Sequence, residues 1–146
     1  MQISNIDLNI VLEEFLTEQS DLLINDASEQ AISHQLAMKL AGLFTDWTIG
    51  CEYNREGSVV KRLIYAVSPD GEGIERNVVP DIIIHRRQTT DNLLAIEIKK
   101  STNQENSIKD LNKLEAFRGQ LGYVHTLFVR FKTGAVNPEI AEIEFK

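Results

Sequence analysis

The sequence contains a single cysteine, Cys51, among 146 residues. One cysteine excludes an intramolecular disulfide and a cysteine cluster for zinc. No segment approaches the roughly 18 consecutive apolar residues of a membrane span, and the N-terminus lacks the basic region that begins a secretory signal. These absences predict a cytoplasmic protein in a reducing setting, with no membrane partner.

Basic residues are scarce in the first third of the chain. Residues 1–54 hold nine carboxylates against one base, Lys39, whereas residues 55–146 hold fourteen Lys and Arg against thirteen acids. The net charge of −7 would by itself argue against a nucleic-acid partner. Because the acidity belongs to the N-terminal third, the charge balance is neutral on this point.

Several functional motifs are missing as well. No Gly-rich phosphate-binding loop occurs, which argues against a nucleoside-triphosphate enzyme. No G-x-S-x-G nucleophile motif is present, although Ser-His-Asp or Cys-His catalysis stays open. The chain also has no helix-turn-helix, zinc finger or basic tail that would recognise a nucleic-acid sequence.

Composition and periodicity predict one mixed α/β domain over residues 1–146, with residues 1–25 as an N-terminal helical extension. The chain is 42% hydrophobic and 25% charged, as in ordinary globular proteins. Apolar periodicity predicts helices over 6–23, 27–44 and 107–121. It predicts strands over 47–54, 59–67, 78–86, 92–99, 126–131 and 140–145, with a turn-rich loop at 68–73.

The strands on either side of a polar turn at 88–91 contain a candidate site. Alternation places Glu97 and Lys99 on the same strand face. If the hairpin is symmetric about Thr89, Asp81 lies directly opposite Glu97, with the two Cβ atoms about 5 Å apart. Two carboxylates at that distance destabilise the pair unless a cation compensates them. The pattern therefore predicts a divalent-cation site.

The helix predicted over 27–44 has a buried stripe and an acidic residue at its start. Asp26 or Ser28 is the expected N-cap. Glu29 lies one turn before the stripe and is expected to point inward, which is unfavourable without a partner. It is either a first-turn acid that suits the helix dipole or a carboxylate that reaches a metal. The stripe consists of Ile32, Leu36, Leu40 and Leu43.

Strand carboxylates with a nearby lysine suit the hydrolysis of a phosphodiester. Asp81 and Glu97 would hold Mg²⁺, which prefers oxygen ligands and keeps several waters. The ion would lower the pKa of a bound water and neutralise charge on the phosphate. Lys99 would orient that water or stabilise the transition-state charge. Glu29 would complete the ligand shell or support a second ion.

The Pro-Asp pair at 80–81, followed by Glu-Ile-Lys at 97–99, resembles the PD-(D/E)XK nuclease superfamily. The resemblance covers about residues 29–131, and the predicted element order agrees with the αβββαβ core of that superfamily. It implies a restriction-endonuclease-like fold, with a mixed central sheet flanked by helices. It also implies that Lys99 is catalytic and that the metal ligands are Asp81, Glu97, the backbone carbonyl of Ile98 and the helix carboxylate Glu29.

Further segments are similar to a group of small, mostly uncharacterised bacterial proteins of the same superfamily. They include EQAISHQLA, CEYNREG, VVPDIIIHRR and NLLAIEIKKSTN. The similarity implies supporting or substrate-facing roles for Glu52, Asn54, Arg55, Lys100 and Lys113. Lys100 is predicted on the strand face opposite Lys99.

The resemblance implies a Mg²⁺-dependent endonuclease, with Mn²⁺ as a substitute ion, that acts on DNA in preference to RNA. A nuclease of this size would act as a homodimer or with a partner protein that supplies targeting. The alternative is a catalytically silent, nuclease-like binding or assembly module whose contact surface is the acidic N-terminal helix. The complete set of Asp81, Glu97 and Lys99 favours the enzyme, and the missing recognition element favours the alternative.

Overall fold

The computed structural model describes residues 1–51 and 80–146 in full and, between them, the backbone of strands 61–66 and 73–78. The helices are α1 (Leu8–Glu18), α2 (Ser20–Ile24), α3 (Glu29–Leu43) and α4 (Ile108–Leu121). The strands are β1 (Gln2–Ile3), β2 (Ile6–Asp7), β3 (Thr48–Cys51), β4 (Lys61–Ala66), β5 (Gly73–Val78), β6 (Ile82–His85), β7 (Asn92–Lys100), β8 (His125–Phe131) and β9 (Ile140–Phe145). No helix in the described part of the chain is long and apolar enough to cross a bilayer.

A five-stranded mixed sheet forms the centre, in the order β3-β6-β7-β8-β9. Only β7 and β8 pair in parallel within it. A parallel pair needs a crossover connection, and α4 supplies it. Strands β1 and β2 form a separate antiparallel pair, as do β4 and β5. The predicted mixed α/β class is confirmed.

The sheet buries both of its faces because β7 alternates between two apolar clusters. Leu94, Ile96 and Ile98 belong to the larger cluster, which also contains residues of α1 and α3. Ala95 belongs to a smaller cluster built mainly with α4, including Phe117. Glu97 and Lys99 follow Ala95 on the same strand face. They therefore lie on the side of the sheet that α4 covers.

The N-terminal helix differs from its prediction. One helix was expected over 6–23, but Ile6 and Asp7 form a strand, and the helix is divided at Gln19 into α1 and α2. The Asp7 carboxylate accepts a hydrogen bond from the Asn9 amide at 2.9 Å, so it caps α1. A local side-chain cap of this kind competes with the apolar periodicity on which the prediction rested.

One of the two predicted caps of α3 is confirmed, and so is its buried stripe except for the last member. Ser28 is the N-cap, and its hydroxyl accepts a hydrogen bond from the Ala31 amide at 3.1 Å. Ile32, Leu36 and Leu40 are buried, but Leu43 is 42% exposed. Leu43 is the last residue of the helix, and the next residue, Phe44, is buried in the core in its stead.

The strand expected over 78–86 is two strands in the structure. Strand β6 begins only at Ile82, and residues 73–78 form β5, which pairs with β4 through six residue pairs. Gly73, expected in a loop, is thus the first residue of β5. Pro80 lies between the two strands and has no backbone N–H for a ladder hydrogen bond. The alternating pattern ran across this break and hid it.

Asp26, the alternative cap, instead joins three loops. It has φ of 53°, a conformation that Asp tolerates because its side chain is short and polar. Its Oδ1 accepts hydrogen bonds from the hydroxyls of Thr102 at 2.8 Å and Thr133 at 2.7 Å. Lys100 Nζ lies 3.3 Å from the same oxygen. The hydrogen bonds from Thr133 and Thr102, followed by the charge of Lys100, hold the pKa of Asp26 below its ordinary value.

Replacing Asp26 with asparagine is expected to lower stability at neutral pH, because the variant keeps the shape but loses the charge. The lowered pKa means that the contribution of the carboxylate is present above its ordinary value of 3.8 and is lost as the pH falls through the folded-state value. Thermal unfolding at about pH 6 and about pH 3 should show a deficit that shrinks in acid. Glu13→Gln, at an exposed residue of α1, is the control. A deficit independent of pH would contradict the charge argument.

Candidate active site

The pairing of β6 with β7 has the register expected for a hairpin symmetric about Thr89. Ile82 pairs with Ile96 and Ile83 with Ala95. Continuing that register by one residue places Asp81 opposite Glu97. The predicted symmetry about Thr89 is confirmed over residues 82–84, whereas a shift near His85 disturbs the pairing next to the turn, and Asp81 itself precedes the paired residues.

Strand β7 extends past the start of β6, so backbone amides along this part of β7 have no partner in β6. Two carboxylates accept hydrogen bonds from these amides. Asp81 Oδ2 accepts a hydrogen bond from the Ile98 amide at 2.6 Å. Glu29 Oε2 accepts one from the Lys100 amide at 2.8 Å. Amides two residues apart on a strand point to the same side and lie about 6.5 Å apart. The two acids therefore lie side by side along one edge of β7.

Glu97 is a buried carboxylate, with 4% of its surface exposed. Burial raises the pKa of Glu97 well above its ordinary value, and the negative charge of Asp81 raises it further. Lys113 opposes both effects, since its Nζ lies 2.6 Å from Glu97 Oε1. That oxygen is buried and has no partner of good hydrogen-bond geometry in the described residues, and Lys113 lowers the pKa of Glu97 through both its charge and its close contact. The fold therefore holds a carboxylate that is incompletely compensated.

Lys99 is also buried, at 5% exposure, and is held by two acids. Its Nζ donates to Asp110 Oδ2 and, at 3.4 Å, to Glu105 Oε2. Burial alone would lower the pKa of Lys99, but the hydrogen bonds and charges of Asp110 and Glu105 outweigh it and raise the pKa. Lys99 is therefore a cation at neutral pH.

Two ion pairs connect β7 with α4, and they are reciprocal in charge. Glu97 and Lys99 are two residues apart on β7, and Asp110 and Lys113 are three apart on α4, so each pair shares a face. The strand acid binds the helix base, and the strand base binds the helix acid. Asp110 and Glu105 were not predicted. The only sequence signal for Asp110 is that it lies three residues before Lys113 on a helix. Such acid–base pairs are common on the solvent-exposed faces of helices.

The donor chemistry of this cluster fits a divalent cation. Its formal charge is −2, because four carboxylates face two lysines, and one divalent ion balances that charge. Glu97 is the buried member of the cluster, where an uncompensated charge is costly, and hard oxygen donors are those that Mg²⁺ binds with retained waters. The cluster consists of Asp81, Glu97, Glu105 and Asp110 with Lys99 and Lys113.

The structure does not gather Glu29 into a common ligand group with the other two acids. Its Oε2 is occupied by the Lys100 amide and by Asn103 Nδ2 at 3.3 Å. Within residues 1–51 and 80–146, no three His, Cys, Asp or Glu side chains are placed to hold one metal ion. Asp81 and Glu97 with the Ile98 carbonyl therefore form the smaller set that stays a prediction, and Glu29 is a neighbouring acid.

The remaining predicted residues divide into two groups. Lys113 contacts Glu97 as described, and Lys100 lies on the opposite strand face, where it pairs with Asp26 at 3.3 Å. The predicted strand end at 52–54 lies outside the described residues, and with it the three residues expected to support the site: Glu52, Asn54 and Arg55.

Arg130 on β8 organises the loop that presents Glu105, and sequence reasoning missed it. Its guanidinium donates to the backbone carbonyls of Lys100 at 3.2 Å, Asn103 at 2.6 Å and Glu105 at 3.0 Å. It also pairs with Glu142 at 3.1 Å. An arginine on an apolar strand gives no sequence signal for this role, because its partners are backbone carbonyls in a distant loop.

Comparison of the chain with known protein families, with curated proteins and with solved structures finds no match. The function is therefore argued from the geometry and charge of the site.

Proposed function

We propose that the protein is a metal-dependent nuclease of the PD-(D/E)XK type that hydrolyses phosphodiester bonds, with Mg²⁺ or Mn²⁺ as its ion. The observation that supports this most is the meeting of Asp81 and Glu97 where β6 begins, with Lys99 on the same face of β7. The preference for DNA over RNA follows from the resemblance in sequence.

The order of the elements agrees with a restriction-endonuclease-like fold. Apart from the separate β4–β5 pair, the chain runs α3, β3, β6, β7, α4 and β8, which is the αβββαβ order. The proposed site lies at the start of β6 and on β7, in the middle of the sheet. The buried sheet provides the rigid support that a catalytic arrangement needs.

The roles of the residues follow from their surroundings. Asp81, Glu97 and the Ile98 carbonyl would hold the ion, which when bound supplies an activated water and charge neutralisation at the phosphate. Lys99 is kept protonated by Asp110 and Glu105. It therefore stabilises negative charge on the reacting phosphate as a fixed cation rather than accepting a proton from the water.

The basic side chain of Arg86 lies away from this site. Arg86 is at the far end of β6, where its guanidinium covers the Trp47 ring at 4.0 Å. Arg86 is five residues along the chain from Asp81, a span of about 16 Å in an extended strand. Arg86 therefore does not contact a phosphate that is bound at Asp81 and Glu97. A homodimer or a targeting partner would provide further contacts with the nucleic acid.

The proposal is tested by incubating plasmid and single-stranded DNA with the protein and Mg²⁺ or Mn²⁺. Cleavage that a chelator stops is the expected result. If the protein neither cleaves DNA or RNA nor binds either ion in calorimetric titration, the proposal is wrong.

Lys99→Ala is expected to lower the cleavage rate about 100-fold, the typical loss when one preorganised donor to transition-state charge is removed. The control is Lys109→Ala, which removes an exposed lysine from the same helix that packs on the site. Rates are compared at saturating ion, and circular dichroism checks that both variants are folded. Wild-type rates in Lys99→Ala would exclude Lys99 from the reaction.

The two ion pairs between β7 and α4 favour a second candidate, a catalytically silent binding or assembly module. Lys113 and Asp110 give Glu97 and Lys99 structural partners without any reaction. In that case no metal-dependent cleavage occurs, and charge-removing substitutions at the cluster change only stability.

A further inference from the structure

Lys113 places a positive charge at the oxygen that a metal ion at Glu97 would use. Its Nζ is 2.6 Å from Glu97 Oε1, and the two side chains are 14% and 5% exposed. We propose that Lys113 is the resident counter-ion of the site: it compensates Glu97 in the metal-free protein and leaves that oxygen when a divalent cation binds. This inference rests on the proposed metal site.

The geometry of the contact supports displacement. Oε1 of Glu97 is buried and lacks a partner of good hydrogen-bond geometry among the described residues, although the Lys113 ammonium lies 2.6 Å from it. A lysine ammonium is a point charge on a flexible four-carbon stem, so rotation of the side chain is enough to move it off that oxygen. An ammonium and a divalent ion at the same carboxylate repel each other strongly in a partly buried site.

Lys99, the other lysine of the cluster, differs from Lys113 in its partners, and this difference assigns a separate role to each lysine. Lys99 is bound by Asp110 and Glu105, neither of which is a proposed ligand. It keeps its partners when the ion binds. Lys113 contacts Glu97, a proposed ligand, so ion binding and this contact compete. Lys113 is thus a positioning residue that sets the ion concentration the site requires.

The test compares Mn²⁺ binding by calorimetric titration in the wild type, Lys113→Met and Lys113→Arg. Lys113→Met removes the competing charge and is expected to bind Mn²⁺ about tenfold more tightly. Without metal, the same variant is expected to melt below the wild type, because Glu97 loses its counter-ion. Lys113→Arg keeps the charge and should stay near the wild-type affinity. Lys109→Met, at an exposed position on α4, should change neither quantity.

A measurement on the unsubstituted protein covers the case in which Lys113→Met does not fold. The lysine ¹³Cε signals are recorded during titration with Mg²⁺, and the Lys113 signal is assigned through Lys113→Arg. It is expected to shift on saturation as the ammonium leaves Glu97.

The outcomes separate the two proposals. Wild-type metal binding combined with unchanged or weaker binding by Lys113→Met, or with a stationary Lys113 signal, overturns the counter-ion inference and leaves the nuclease proposal standing. If the wild type shows neither metal binding nor cleavage, the proposed function is wrong, and the counter-ion inference is overturned with it.

Discussion

Replacement of Asp81 by asparagine is expected to lower the rate of metal-dependent DNA cleavage roughly 1,000-fold. Substituting a residue that only supports a metal ligand typically lowers metal affinity or activity roughly 10–100-fold, and substituting a ligand itself should lower it more. Asparagine retains the shape of the side chain and an oxygen that can accept the hydrogen bond from the Ile98 amide, which is 2.6 Å in the wild type. The charge that would attract the ion is lost. Cleavage rate and ion affinity should therefore fall together.

The same substitution is expected to leave the metal-free protein as stable as the wild type or more stable. The negative charge of Asp81 contributes, after burial, to the raised pKa of Glu97. A carboxylate whose folded-state pKa is raised destabilises the folded state as the pH rises above its unfolded value. Asp81→Asn removes part of that cost. Its stabilising effect should therefore appear only above the folded-state pKa of Glu97, which lies above the ordinary value of 4.5, and be absent at lower pH.

A substitution that lowers the cleavage rate but does not lower the stability identifies a functional residue rather than a structural one. Cleavage assays and chemical unfolding in the presence of a chelator measure the two quantities. Asp46→Asn, at an exposed position, is expected to change neither. A joint loss of cleavage and stability in Asp81→Asn would identify Asp81 as structural, and wild-type cleavage would remove it from the site.

Sequence patterns predicted the elements best where one periodicity runs without interruption. Strand β9 has its predicted ends, and α4 begins one residue after the predicted start. The pattern failed where a residue acts through its own backbone or cap, as Asp7 does at the start of α1. It failed again at Pro80, because alternation alone does not show that a ladder is interrupted.

The residues of the site that lie on the paired strands could be predicted from the sequence, and those that approach from the helix and the loop could not. Because side chains alternate on a strand and a hairpin has a register, Asp81, Glu97 and Lys99 could be placed relative to one another before the structure was known. Asp110 and Glu105 depend on how a helix and a loop approach the sheet. Glu29 was expected to point inward, and it does reach β7, but its partner is a backbone amide, which has no signature in the sequence.

Phe117→Ala is expected to destabilise the protein by about 3–5 kcal/mol, the range for truncation of a buried aromatic ring. Phe117 is fully buried and packs edge-on against Tyr123, with ring centroids 5.7 Å apart. It belongs to the apolar cluster that fixes α4 on the sheet face carrying Glu97. Truncation leaves a cavity between helix and sheet that rigid neighbours fill only in part.

Truncation of Phe117 should also disturb the proposed site, because the same helix carries Asp110 and Lys113. Urea unfolding gives the free energy of unfolding, and Val124→Ala, at a residue 56% exposed just after α4, should change it by less than about 0.5 kcal/mol. In conditions where Phe117→Ala stays folded, its cleavage rate is expected to fall, since Lys99 loses the fixed position that Asp110 gives it. A loss of less than about 1 kcal/mol, well below the expected range, would show that the ring does not hold the helix on the sheet. The two ion pairs between β7 and α4 would then have to position the helix without it.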